Sequence, residues 1–318
     1  MDRRAFLVTA AAAPFTLRAA VAAAAADPVA LVTADSEAAV VAVDPLRGRL
    51  LRRIATRSDP RSIERVDGIA VVAHTAIGVV TLLDGRSLEI RRVLRSFDEP
   101  RYTAAAPDGR HAFVTDSGRA DVAVVDVVRG RVVARLHLGE WPRHVSLDPR
   151  GRRLWVALGT EARRVAVADV SRPADPRLVT KIAPPFLAHD VGFEPDGRRV
   201  WVTSGDRGML AIYDARTGKV LRRLPADAPP QHVTFVGGAA FVTSGEDGRL
   251  RVHSLDDGRL LRTTAIPAGS YNVQQGWGRV ITPSLDRGTL CLVDSRGRLL
   301  RDVHVARSSH DACFMMSA

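Results

Sequence analysis

The apolar positions of this chain fall into short runs that recur along its length. Seven times such a run closes on a polar residue: VVAVD at Asp44, VTLLD at Asp84, VAVVD at Asp126, VAVAD at Asp169, LAIYD at Asp214, LRVHS at Ser254 and LCLVD at Asp294. Successive end points lie 40, 42, 43, 45, 40 and 40 residues apart. A second pattern precedes these runs and is most complete from Pro142 to Gly159, PRHVSLDPRGRRLWVALG. It predicts a short strand over HVSLD, a tight turn at PRG and a second strand over RRLWVAL. Pro149 presets the φ that a turn needs, and Gly151 admits a positive φ. The alternation and branched or aromatic content of RRLWVAL suit a half-buried strand. Each apolar run is followed by a short turn and then by an Arg-bearing strand such as RLLRRIA, LEIRRVL, RVVARLH or KVLRRLP.

Four short strands per unit, repeated seven times, predict an all-β fold: a seven-bladed β-propeller with four-stranded blades. Arginines on the fourth strand fit its place at the outer edge, where charge blocks edge-to-edge pairing. The closure of the ring is also legible. VALVTADSEAAVVAVD matches the second and third strands of a blade and lacks the first, while SSHDACFMMSA near residue 318 matches AHDVGFEPD at 188–196. The C-terminal strand is therefore expected to complete the first blade from the inside. Trp155 and Trp201 occupy equivalent second-strand positions and read as core.

The first 26 residues follow another logic. Arg3-Arg4, then Ala-Phe-Leu and an Ala-rich run before Asp27, read as a twin-arginine signal peptide, with the propeller over 27–318. Pro14 and Arg18 interrupt a run already too short to span a bilayer. The chain is expected to be exported to the periplasm or outside, with no membrane span, and to act as a monomer. Its formal charge is +11. All but Lys181 and Lys219 of the 46 basic residues are arginine, spread over every repeat rather than clustered, which argues against nucleic acid as a partner. Cys291 and Cys313 are too few to staple the fold, and no CxxCH or CxxC motif is present. GxSxG, P-loop and GxGxxG motifs are also absent.

Aligning the innermost strands gives one dipeptide per blade at the mouth of the central channel. In chain order these are Arg61-Ser62, Arg101-Tyr102, Arg143-His144, His189-Asp190, Gln231-His232, Tyr271-Asn272 and His310-Asp311. Arg61, Arg101 and Arg143 fall on consecutive blades, and their guanidinium forks suit carboxylate or phosphate. Opposite lie His189, Asp190, His232, His310 and Asp311, with His144 at the border. Such imidazoles and carboxylates are candidate ligands for a transition metal, with Zn, Cu or Fe open, and an adjacent His-Asp pair is also a candidate general base. The competing reading is structural: a polar residue here bonds the backbone of the neighbouring blade. Glu64, Asp98 and Glu140 are candidate counter-charges for the arginines. Trp141, ahead of Pro142, is a candidate cap on the mouth. The turns Thr33–Glu37, Ser117–Ala120, Ser204–Gly208, Ser244–Gly248 and Ser284–Gly288 read as hairpin chemistry.

PRHVSLDPRGRRLWVALG, AHDVGFEPDGRRVWVTSG, PRYTAAAPDGRHAFVTDSG and QHVTFVGGAAFVTSG resemble the unit of the YVTN-type repeat family of seven-bladed propellers. That resemblance implies a fold and leaves function open, because the family includes surface proteins, exported binding proteins and relatives of the haem d1 and quinoprotein-dehydrogenase propellers. The string PRH-x-x-x-x-P-x-G also looks like the propeller lactonases that open 6-phosphogluconolactone. The leading expectation is an exported binding or scaffold protein whose Arg/His/Asp-lined mouth takes a small anionic ligand, a metal or a protein partner. The alternative is an enzyme. A lactonase-like hydrolase would use Glu140, Arg143 and His144, although export separates the chain from a cytoplasmic sugar-phosphate lactone. A redox protein associated with haem d1 or a quinone would use the His ring, without a c-type haem site of its own.

Overall fold

The polar residue that closes each apolar run is a turn-former, and it sets the blade. The computed structural model describes residues 28–159 and 163–316, so the signal peptide assigned to residues 1–26 lies outside them. Asp44, Asp84, Asp126, Asp169, Asp214, Ser254 and Asp294 are each the last residue of a third strand. Their side chains accept N–H groups from the turn that follows. Asp44 Oδ1 takes Leu46 N at 3.1 Å and Arg47 N at 2.9 Å, and Asp214 Oδ1 takes Thr217 N at 2.7 Å. Ser254 does the same with its hydroxyl, which accepts Asp256 N at 3.2 Å. These bonds satisfy backbone donors that would otherwise face no partner as the chain reverses.

The described residues form seven four-stranded antiparallel sheets arranged as a seven-bladed β-propeller. The inner strands of blades 2 to 7 are Pro60–Val66, Pro100–Ala105, Val145–Leu147, Ala188–Phe193, Val233–Val236 and Gln274–Gly276. Blade 1 is closed as the sequence predicts: Ala312–Met316 pairs with Pro28–Ala34, in the register Ala30 to Phe314, Leu31 to Cys313 and Val32 to Ala312. Every blade also carries a register shift between its third and fourth strands, just ahead of the residue that precedes the polar end point. Such bulges increase local twist and bend the outer strand. The sequence reading did not anticipate them.

The core lies between blades, and this explains why the third strands are continuously apolar rather than alternating. Each blade buries both faces, one against each neighbour. Trp155 of blade 4 packs with Phe193, Val202 and Tyr213 of blade 5, and Trp201 of blade 5 packs with Val233 and Val242 of blade 6. Phe314 and Val41 of blade 1 meet Ile281 and Leu292 of blade 7, which closes the ring. The outer strands stay exposed; in Arg49–Ala55 only Ile54 is buried. In the turn Ser284–Gly288, Gly288 has φ +62° and a Cβ there would collide with the Ala306 carbonyl, so the turn requires glycine. No described helix is long and apolar enough to cross a membrane.

Candidate binding site at the channel mouth

A recurring hydroxyl bond sets the register of the mouth. Thr33, Thr115 and Thr203, on second strands, donate to the carbonyls of Arg61, Arg143 and Gln231 on the next blade, at 3.4, 2.6 and 2.6 Å. Thr243 reaches Tyr271 O in the same way, and Ser62 donates to Arg101 O. The second-strand bond recurs at four of the blade junctions and makes Arg61, Arg143, Gln231 and Tyr271 equivalent.

Each dipeptide therefore contributes to two tiers. Tyr102, His144, Asp190, His232, Asn272 and Asp311 of the second tier line a cavity of about 360 Å3 in the central channel, which continues along the inner strands to Glu64, Leu147 and Gln275. The first tier does not line this cavity and holds the arginines. Arg101 lies over the Trp141 ring, 4.5 Å from its centroid, and 3.5 Å from Glu99 Oε2. Trp141 Nε1 donates to the same Glu99 oxygen at 3.3 Å. The Nε atoms of Arg101 and Arg143 are buried with no hydrogen-bond partner. Burial lowers the Arg101 pKa, with Glu99 opposing and Arg143 and Arg61 adding to the shift. Burial also holds His310 well below the usual histidine range, and Arg61, His232, Arg143 and Arg101 push it the same way. The charges of all three arginines thus act on His310.

Of the counter-charges expected for them, Glu64 and Glu140 are engaged elsewhere. Glu64 accepts Gln274 Nε2 at 3.1 Å, Asp98 stands against Gly118, and Glu140 takes Lys181 Nζ at 2.5 Å with Arg164 at 3.5 Å. None of the three pairs with Arg61, Arg101 or Arg143. Glu140 is likewise not brought together with Arg143 and His144 as an acid–base set.

The imidazoles converge differently from the sequence pattern. His144 is buried, and its ring centroid lies 4.5 Å from those of His189 and His232 and 4.0 Å from that of Tyr102. Ligand atoms of His144, His189 and His232 all lie within 4.8 Å of one another. Neither ring nitrogen of His144 makes a hydrogen bond of full geometry, and the one polar group bearing on the ring by a backbone contact is that of His189. Burial first, then the neighbouring charges of His232 and Arg143, hold both His144 and His189 well below the usual histidine range, so both rings are neutral at neutral pH. His310, Asp190 and Asp311 fall outside this group. Asp190 Oδ2 accepts Val233 N at 3.1 Å and lies 3.5 Å from His232 Nδ1. Asp311 accepts Ile63 N at 3.0 Å and Ala312 N at 2.9 Å. The two aspartates therefore tie blade 5 to blade 6 and blade 1 to blade 2, because an inner strand has backbone donors that face the neighbouring blade and need an acceptor.

Glu99 is not singled out by the sequence, and Glu64 is expected there as a counter-charge for the arginines rather than as a residue lining the cavity. Glu64 follows Ser62 by two positions on the same strand, so the pleat returns it to the same face. Glu99 stands two residues before Arg101, outside the aligned dipeptide.

Comparison with known proteins agrees with this architecture. The PQQ_2 family model, described as outer membrane protein assembly factor BamB, matches residues 143–309. No curated protein matches the sequence. Among solved structures, hydrazine synthase of Kuenenia stuttgartiensis superposes with a TM-score of 0.66 at 16% identity, over 79% of this chain and 88% of that one. The dihydro-heme d1 dehydrogenase NirN, in complex with DHE, gives 0.64 at 16% identity over 87% of this chain and 63% of that one. A functionally unknown protein of Desulfotomaculum acetoxidans gives 0.78 at 10% identity over 91% and 99%. At these identities the likeness to solved structures is one of fold.

Proposed function

The chain belongs to the PQQ_2 family, described as outer membrane protein assembly factor BamB, and from that premise we propose that it is an exported binding protein whose channel mouth takes a small anionic ligand. The observation that carries this reading is the arginine side of the first tier. Arg61, Arg101 and Arg143 stand on consecutive blades, two of them have buried Nε donors without partners, and Glu99 is the carboxylate paired among them. A buried N–H without an acceptor costs free energy that an incoming carboxylate or phosphate recovers through charge-assisted hydrogen bonds. Trp141 fixes the Arg101 plane and so reduces the ordering that binding requires. A protein partner presenting a carboxylate would meet the same donors. Export rests on the Arg3-Arg4 leader, and the finer placement among YVTN-type propellers rests on the PRHVSLDPRGRRLWVALG strings.

Calorimetric titration of the metal-stripped chain with inorganic phosphate, acetate and a dicarboxylate tests this. At least one anion should bind, and Arg101→Ala and Arg143→Ala should each weaken it about tenfold, or 1.4 kcal/mol. The reading fails if no anion binds, or if the double variant binds as the wild type does.

A further inference from the structure

We propose that His144, His189 and His232 form a site for one divalent first-row transition metal ion at the channel mouth, where the two tiers meet. The site stands on different residues from the anion reading and does not depend on it. Three imidazoles from three consecutive blades place ligand atoms within 4.8 Å of one another. Zinc–nitrogen bonds of 2.0–2.1 Å put tetrahedral ligand nitrogens about 3.4 Å apart. The χ2 torsion of histidine is broad, so modest ring rotations close that difference without moving backbone.

The second observation is His144 itself. It is 1% exposed, and neither ring nitrogen has a side-chain partner or a hydrogen bond of full geometry. A buried imidazole normally has at least one nitrogen satisfied, because leaving both bare forfeits the hydration that burial removed. A metal bond to one nitrogen removes part of that deficit. Asp190 Oδ2, 3.5 Å from His232 Nδ1, supplies the carboxylate that commonly orients a ligating histidine and offsets the arginine charge on the cation. An all-nitrogen donor set suits Zn2+, Cu2+, Ni2+ or Co2+ rather than Mg2+ or Ca2+. Three protein ligands leave a coordination position open for water or an anion.

The test uses the full chain exported through its own pathway, purified without a metal-affinity tag, stripped with a chelator and titrated with Zn2+ and Co2+. One equivalent of Zn2+ should bind, Co2+ should give visible ligand-field absorption, and His144→Ala should weaken Zn2+ binding by about a hundredfold or more. His137→Ala, on an exposed outer-strand histidine, should leave both readouts unchanged. If His144→Ala fails to fold, as judged by its thermal transition, His189→Gln and His232→Gln carry the same expectation. The proposal is overturned if the wild type takes up less than about a tenth of an equivalent, or if folded variants bind Zn2+ as the wild type does. Anion titrations of the stripped chain are scored separately, so either reading can fail alone.

Discussion

Glu64 occupies the inner strand of blade 2, with its carboxyl in the channel and Gln274 Nε2 as its side-chain partner. Burial pushes its pKa up to about 7, against the hydrogen bonds from Arg65 N and Gln274. The consequence for stability has a definite sign. Below its ordinary pKa the group is protonated in both folded and unfolded chains and costs nothing. As pH rises, the unfolded chain ionises first, so stability falls until the pH passes about 7 and is then level. Glu64→Gln keeps an acceptor for Gln274 and removes the titration. Urea unfolding should therefore find the variant and wild type alike near pH 4, with the variant more stable at pH 8 by at most about 3 kcal/mol. Water in the channel will reduce that difference. An equal gap at both pH values would show that Glu64 does not titrate in this way.

The inner strand of blade 1 is the element on which ring closure rests. Ala312–Met316 pairs with Pro28–Ala34, and Phe314 fills the junction between blades 1 and 7 against Ile281 and Leu292. Phe314 is 4% exposed, so its truncation leaves a cavity between two rigid sheets that cannot easily collapse. Phe314→Ala should cost roughly 3–5 kcal/mol in denaturant unfolding. A loss below about 1 kcal/mol would mean that the junction repacks freely. This strand was legible beforehand because SSHDACFMMSA repeats a pattern found in other blades. The bulges between third and fourth strands were not, since a bulge is a matter of pairing between strands and leaves no fixed residue type in the apolar runs.

For the whole molecule, closure makes the seven interblade clusters one continuous circuit, in which each blade is held on both sides. Ending the chain after Ser309 should open that circuit, lower the thermal midpoint and broaden the transition relative to the intact chain. A sharp transition at the same temperature would count against cooperative closure. The sequence by itself determined the repeat, the number of blades, the strand ends at Asp44 to Asp294 and the clasp, because period, turn chemistry and apolar runs are local properties of the chain. It also gave the arginines equivalent positions on consecutive blades, since equivalent positions in a repeat share a tier. Only the tertiary structure decided which side chains meet. His144 joins His189 and His232, while Asp190 and Asp311 bond the next blade and Glu140 is held by Lys181. Those outcomes depend on side-chain direction and on which backbone donors the neighbouring blade leaves open, and both are set by blade packing rather than by spacing along the chain.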